Sequence, residues 1–239
     1  MSDYDYSEMT MPASRAVHSQ DATSFLSTVY SWMFLGLGLT SLVAWVVAGS
    51  ETIHRAVFGS PAIFYGFLIA ELLLVVVLNA AINRISAGVA TFIFLLYAVM
   101  NGVTLSLIFL IYTSGSITMA FLSATCLFGT MSLYGYITKR DLTSLGNLLF
   151  VGLLAVIICS VINMFLRSSG FYFLISIAGI VVFLGLTAYD TQKILKIGAH
   201  SARLEPGSFR KAAILGALRL YLDFVNLFLY MLRLFGKRK

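Results

Sequence analysis

The run Ala212–Arg233, AAILGALRLYLDFVNLFLYMLR, decides the fold. Most of it is apolar enough to enter a bilayer, yet Gly216, Arg219, Asp223, Asn226, Tyr230 and Arg233 recur three or four residues apart. On a helix of about 3.6 residues per turn these positions form one stripe. An Asp or Arg facing hydrocarbon at the centre of a span costs roughly 2.5–3.5 kcal/mol, so the stripe must face other helices or water. This predicts a C-terminal helix at the polar centre of a membrane bundle, wrapped by the other spans.

Composition sets the class. Hydrophobic residues make up 59% of the 239 and charged residues 11%, against about 25% charged in soluble domains. The chain is therefore expected to be an all-α integral membrane protein. A hydrocarbon core about 30 Å thick takes about 20 apolar residues per helix. Seven runs are that long, at 25–48, 62–83, 87–112, 117–137, 146–166, 171–192 and 212–233. Short connectors between them predict antiparallel neighbours in a seven-helix bundle. Only 193–211 reads as a long loop, which Pro206-Gly207 should break before the last span. Residues 1–23 are polar, without apolar periodicity or a cleavable signal pattern, and predict a disordered cytoplasmic tail ahead of a transmembrane domain at 24–239.

Charge gives orientation. With the N-terminus in the cytoplasm, that side carries Arg15, Arg84, Lys139, Arg140, Lys193, Lys196, Arg203, Arg210 and Lys211, and the opposite loops carry Arg55 and Arg167. This bias predicts N-inside. The end dissents, because seven full spans put Arg233, Lys237, Arg238 and Lys239 on the far side. The other arrangement is a re-entrant last segment, but its length favours a full crossing. The basic residues lie in short loops and leave no nucleic-acid footprint, so the expected partner is the lipid bilayer. Gly36, Gly38, Gly102, Gly129, Gly135, Gly179 and Gly185 are expected to let helices approach closely. Cys126 and Cys159 read as small apolar core residues.

Of the ten acids, only Glu71, Asp190 and Asp223 fall inside apolar runs. Asp190 lies near the cytoplasmic end of the sixth span and Asp223 about half-way along the seventh. Adjacent antiparallel helices can bring the two carboxylates together, where they would share a proton and titrate as a unit. Arg219, four residues before Asp223 on the same face, is a candidate ion-pair partner within its own helix. Arg84 is a second candidate, from a neighbouring helix, or else an orientation anchor. Glu71 and Asn226 could line an ion path. Glu71 could equally form a structural hydrogen bond to Asn, Thr or Tyr, and Asn79, Asn101 and Asn163 read as bonds between helices.

The runs Leu186-Thr187-Ala188-Tyr189-Asp190-Thr191-Gln192 and Leu220-Tyr221-Leu222-Asp223-Phe224-Val225-Asn226-Leu227-Phe228, with Tyr134-Gly135-Tyr136 and Lys139-Arg140-Asp141-Leu142 before them, resemble the Bax inhibitor-1 family. The likeness covers nearly all of the chain after the tail. It implies a seven-helix bundle with the last helix central, acting as a pH-sensitive calcium leak, with Asp190 and Asp223 as the family's aspartate pair. It also implies a gating arginine on the second helix, at a position taken here by Arg84 or Ile82.

The expected function is a cation leak channel in which Asp190 and Asp223 form the pH sensor and gate. Calcium takes six to eight oxygen ligands at about 2.3–2.6 Å, and two carboxylates with carbonyls and water would give it a weak, transient stop. No cofactor beyond that permeant ion is expected, and no enzyme activity. Two other readings compete. A non-catalytic regulator would hold a membrane quality-control protease or another membrane partner through the N-terminal tail. An intramembrane aspartyl protease would use the same aspartates, resembling the presenilin arrangement. Against the protease, Asp223 sits in Leu-Asp-Phe, not Gly-x-Gly-Asp, and Pro12, Pro61 and Pro206 leave no Pro-Ala-Leu motif. Zinc chemistry lacks a His-Glu-x-x-His, and His18, His54 and His200 all lie outside the spans.

Overall fold

The computed structural model describes the backbone of residues 11–201 and 204–239, with side chains from Gln20 onward except at 54, 202 and 203. The helices are α1 (Met11–Gly49), α2 (Glu51–Phe58), α3 (Pro61–Ala81), α4 (Ala87–Ile111), α5 (Ser114–Ile137), α6 (Thr143–Leu166), α7 (Ser169–Gly198) and α8 (Pro206–Phe235). All but α2 are long and apolar enough to cross a membrane, with Gln20–Gly49 as the spanning part of α1. The outer surface is correspondingly greasy, with Phe34, Trp45, Leu72, Phe92 and Phe165 exposed. Apolar surface of that extent belongs against lipid.

Local chemistry explains the boundaries. Ser50, Ser86, Thr113 and Ser168 each accept a backbone N–H three residues on, capping α2, α4, α5 and α7. The short α2 was not foreseen, although Ser50-Glu51 is a helix-start signal placing an acid in the first turn. The loop expected at 193–211 is shorter than its polarity suggests. Helix α7 runs on to Gly198, and Pro206 opens α8 from its first turn, where a missing N–H costs nothing. Of the tail expected at 1–23, residues 1–10 lie outside the described residues. Helical backbone begins at Met11, and Ala22 packs against Gly198, so the last part of that segment belongs to the bundle.

Helix α8 is central. Of its apolar stretch 61% is buried, against 11–39% in the other six. It packs on α1, α4, α5 and α7, while α3 lies chiefly on α4 and α6 on α7. Four helices therefore wrap α8, and α3 and α6 flank the bundle. Fully buried Leu218, Leu220, Tyr221 and Leu227 on α8 meet Phe25, Val29, Met33 and Phe94. The glycine expectation holds where helices touch. A methyl group on Gly102 would lie 2.7 Å from the Thr40 carbonyl oxygen, and one on Gly135 would overlap that of Ala188. Gly38 and Gly129 differ, since both have open space beside them and line an apolar groove between α1 and α5. Both cysteines are free, but neither is the core residue expected: Cys126 is exposed and Cys159 only half-buried, because each lies on the outward side of its helix.

The last helix crosses completely. Its end is tied to the α4–α5 connector, where the Thr113 N–H donates to the Lys237 carbonyl (3.1 Å) and the Lys239 N–H to that of Ile111 (2.9 Å). That connector lies opposite the α3–α4 and α5–α6 connectors, so the re-entrant arrangement is set aside.

Candidate functional site

Asp190, eight residues before the end of α7, and Asp223, mid-way along α8, line one cavity of about 590 Å³. Its wall is completed by Arg219 and Asn226 of α8, Tyr189 and Lys193 of α7, and Asn147 of α6. The two carboxylates are near enough for each charge to act on the other. Asp223 is buried, at 4% exposure, and its Oδ2 has no hydrogen-bond partner among the described residues. A buried polar atom without a partner carries its whole desolvation cost, roughly 1–3 kcal/mol and more when charged.

Arg219 does not make the ion pair expected of it. Its Nη1 lies 3.7 Å from Oδ1 of Asp190, across the α7–α8 interface. The guanidinium keeps 35% of its side-chain surface exposed. With that exposure the side chain meets Asp190 at the interface rather than the buried Asp223 of its own helix. Lys193 stands beside it, with Nζ 5.4 Å above the Tyr189 ring and near enough to act on Asp190. Sequence reasoning missed Lys193 at this site, although its place three residues after Asp190 on the same helix was a usable signal. Asn147 carried no such signal, because only tertiary packing brings α6 to the cavity.

Arg84 is not at the site. It is exposed on the α3–α4 connector and makes no ion pair among the described residues, while Ile82 is buried in the core. Helix α3 ends against α4, away from the α7–α8 seam. Lys211 of α8 reaches that corner instead, its Nζ donating to the Ile85 carbonyl (3.4 Å).

Glu71 sits apart, in a second polar cluster. Thr104 Oγ1 donates to one of its oxygens and Asn101 Nδ2 to the other (3.2 Å). Tyr221 OH then donates to Asn101 Oδ1 (3.0 Å) and lies 2.7 Å from Thr40 Oγ1, which donates to the Ala98 carbonyl (2.8 Å). This network ties α1, α3, α4 and α8 together and gives Glu71 the hydrogen bonds to Asn and Thr that one of its two readings expected. Asn226 lines the aspartate cavity but donates to the Leu222 carbonyl of its own helix (2.8 Å). Among the described residues, no three His, Cys, Asp or Glu side chains cluster as a metal site.

Outside the membrane, Asp141 in the α5–α6 connector is exposed and lies 2.5 Å from Lys196 Nζ. The hydrogen bond from Lys196, with a second from Thr143, lowers its carboxyl to about 2. Gln192 clamps the same connector, accepting the Leu142 N–H (2.9 Å) and donating to the Arg140 carbonyl (2.8 Å).

Fold and site together define an all-helical, multi-pass membrane protein with a carboxylate pair in a cavity between its last two helices. The family model described as "Inhibitor of apoptosis-promoting Bax1" matches residues 22–239. The chain belongs to the Bax inhibitor-1 family. Among its relatives, inner membrane protein YbhL of Escherichia coli strain K12 is 46% identical over 216 residues, spanning 90% of this chain and 92% of the relative. A Borreliella burgdorferi protein is 44% identical over 215 residues, again 90% and 92% of the two chains. Protein RP147 of Rickettsia prowazekii is 38% identical over 238 residues, 98% and 99% of the two chains. With seven helices among the described residues long and apolar enough to span, this is a multi-pass protein of the bacterial inner membrane.

Proposed function

We propose that the protein is a cation leak channel, with calcium as its permeant ion, in which protonation of the Asp190–Asp223 pair sets the balance between a closed and an open bundle. The observation that carries this reading is the buried Asp223 carboxyl, whose unpartnered Oδ2 shares a cavity with Asp190. A charge that must be desolvated without full compensation is retained where its titration is used. The chemistry is a two-state switch. Adding or removing a proton changes the charge of the pair and the attraction between Asp190 and Arg219, and so biases how α7 sits on α8. Two carboxylates without a third ligand fit a transient stop for calcium better than a resident site, and a leak needs weak sites. In proteoliposomes, calcium flux should depend on pH and exceed that of protein-free vesicles, and Asp223→Asn should flatten the pH dependence. Flux equal to that of empty vesicles at every pH would remove the channel reading.

A further inference from the structure

Three arginines gather at the end of the bundle remote from the aspartate pair. Arg167, Arg233 and Arg238 line one cavity of about 690 Å³ with Asn163, Ser168 and Tyr172. Each arginine is held there by a different device. Arg167 ends α6 with a φ of 52°, and its N–H donates to the Asn163 carbonyl (2.8 Å). A non-glycine residue in that left-handed region is uncommon. Asn163 was expected to bond between helices. Instead its Oδ1 accepts the Ser168 N–H (3.1 Å) and fixes the same corner. The Arg233 guanidinium stacks 5.6 Å from the Tyr172 ring centre and 5.2 Å from that of Tyr230. Arg238 pairs with Tyr112 in an antiparallel bridge, and the neighbouring Lys237 N–H donates to Ser116 Oγ (2.8 Å).

No carboxylate lines this cavity, and none of the three guanidinium groups has an acidic partner among the described residues. The first turn of α7, at Ser168-Ser169, adds its partial positive charge. Three cations held together without a counter-charge repel one another. They also stand on the translocated side, against the charge bias that orients the rest of the chain. Both costs call for an anion.

We propose that this cavity binds a phosphoryl group, and that its source is the headgroup of an anionic phospholipid in the adjacent leaflet. The planar fork of arginine matches phosphate oxygens two at a time. Lipid is favoured over free phosphate by Met164, which lines the cavity and is 64% exposed on the outer face of α6. An acyl chain can leave along that face beside Phe165, which is 76% exposed. The site is independent of the aspartate pair and of the leak.

The test uses the full chain purified in detergent, with native mass spectrometry during titration by phosphatidylglycerol, by phosphatidylcholine and by phosphatidylglycerol against inorganic phosphate. Phosphatidylglycerol should bind roughly tenfold more tightly than phosphatidylcholine. The Arg167→Gln/Arg238→Gln double variant should lose roughly ten- to a hundredfold of that affinity, as expected for two charged hydrogen-bonding groups. Both side chains are exposed, so its melting temperature should match wild type. Should the double variant fail to assemble, Arg238→Gln alone, in the tail, should still weaken phosphatidylglycerol binding severalfold. Equal binding of the two lipids, or unchanged binding by the variants, overturns the site. Displacement of phosphatidylglycerol by inorganic phosphate at equal concentration overturns the lipid as its occupant.

Discussion

At the residue scale, two buried acids differ in how far their oxygens are satisfied. Glu71 has both carboxylate oxygens hydrogen-bonded, by Thr104 and Asn101, whereas Asp223 leaves Oδ2 bare. The contrast predicts opposite responses to removal. Asp223→Leu deletes an uncompensated buried polar group, so its melting temperature should hold or rise, by an amount equivalent to about 1–3 kcal/mol. Glu71→Leu strands the Asn101 amide, while Thr104 keeps the Met100 carbonyl, and should lower stability by a similar amount. Thermal unfolding in detergent checks both, and a destabilised Asp223→Leu would mean that the carboxyl is structural. Asp141 allows a prediction outside the membrane. Its folded value of about 2 lies below the usual carboxylate range. Its bond to Lys196 therefore contributes fully above about pH 4 and is lost as pH falls toward 2. Hydrogen exchange of the α5–α6 connector should be faster in Lys196→Met than in wild type at neutral pH, and the gap should close on acidification. Asp190 and Asp223 were legible in the sequence because an acid in an apolar run is conspicuous. The choice of Asp190 as partner of Arg219 was not, because helical spacing fixes the neighbours on one helix and says nothing of reach across an interface.

At the scale of elements, the spans were readable from apolar length, but their contacts were not. Small residues mark potential close approaches, and only packing decides which are used. Gly135 meets the Ala188 backbone two residues before Asp190, and Gly129 on the same helix meets nothing. Gly135→Ala should therefore cost about 1–3 kcal/mol through overpacking against a carbonyl that cannot yield. Gly129→Ala should be neutral or gain up to about 1 kcal/mol from helix propensity. Equal melting temperatures for the two variants would contradict the α5–α7 contact. Asparagine was similarly ambiguous: Asn101 bridges helices, whereas Asn79 bonds the Val75 carbonyl of its own helix and Asn163 a connector.

For the whole molecule, the polar stripe on the last helix made a central α8 readable, because a helix bearing Arg219 and Asp223 has no place against lipid. The two flanking helices were not distinguishable from the four that wrap it, since apolar length alone says nothing of neighbours. The sidedness has a direct check. In a Cys126→Ser/Cys159→Ser background, Lys239→Cys should react with a membrane-impermeant thiol reagent in intact cells, and Ser86→Cys should react only after permeabilisation. Equal labelling would contradict a complete last span. The claim on which the function rests is that Asp190 and Asp223 act as one switch. Its most direct test is a double-mutant cycle on the pH dependence of calcium flux in proteoliposomes, using Asp190→Asn, Asp223→Asn and the pair. A single switch predicts that each substitution alone flattens the profile about as far as both together. Independent, additive effects, or a pH response that survives in the double variant, would contradict it.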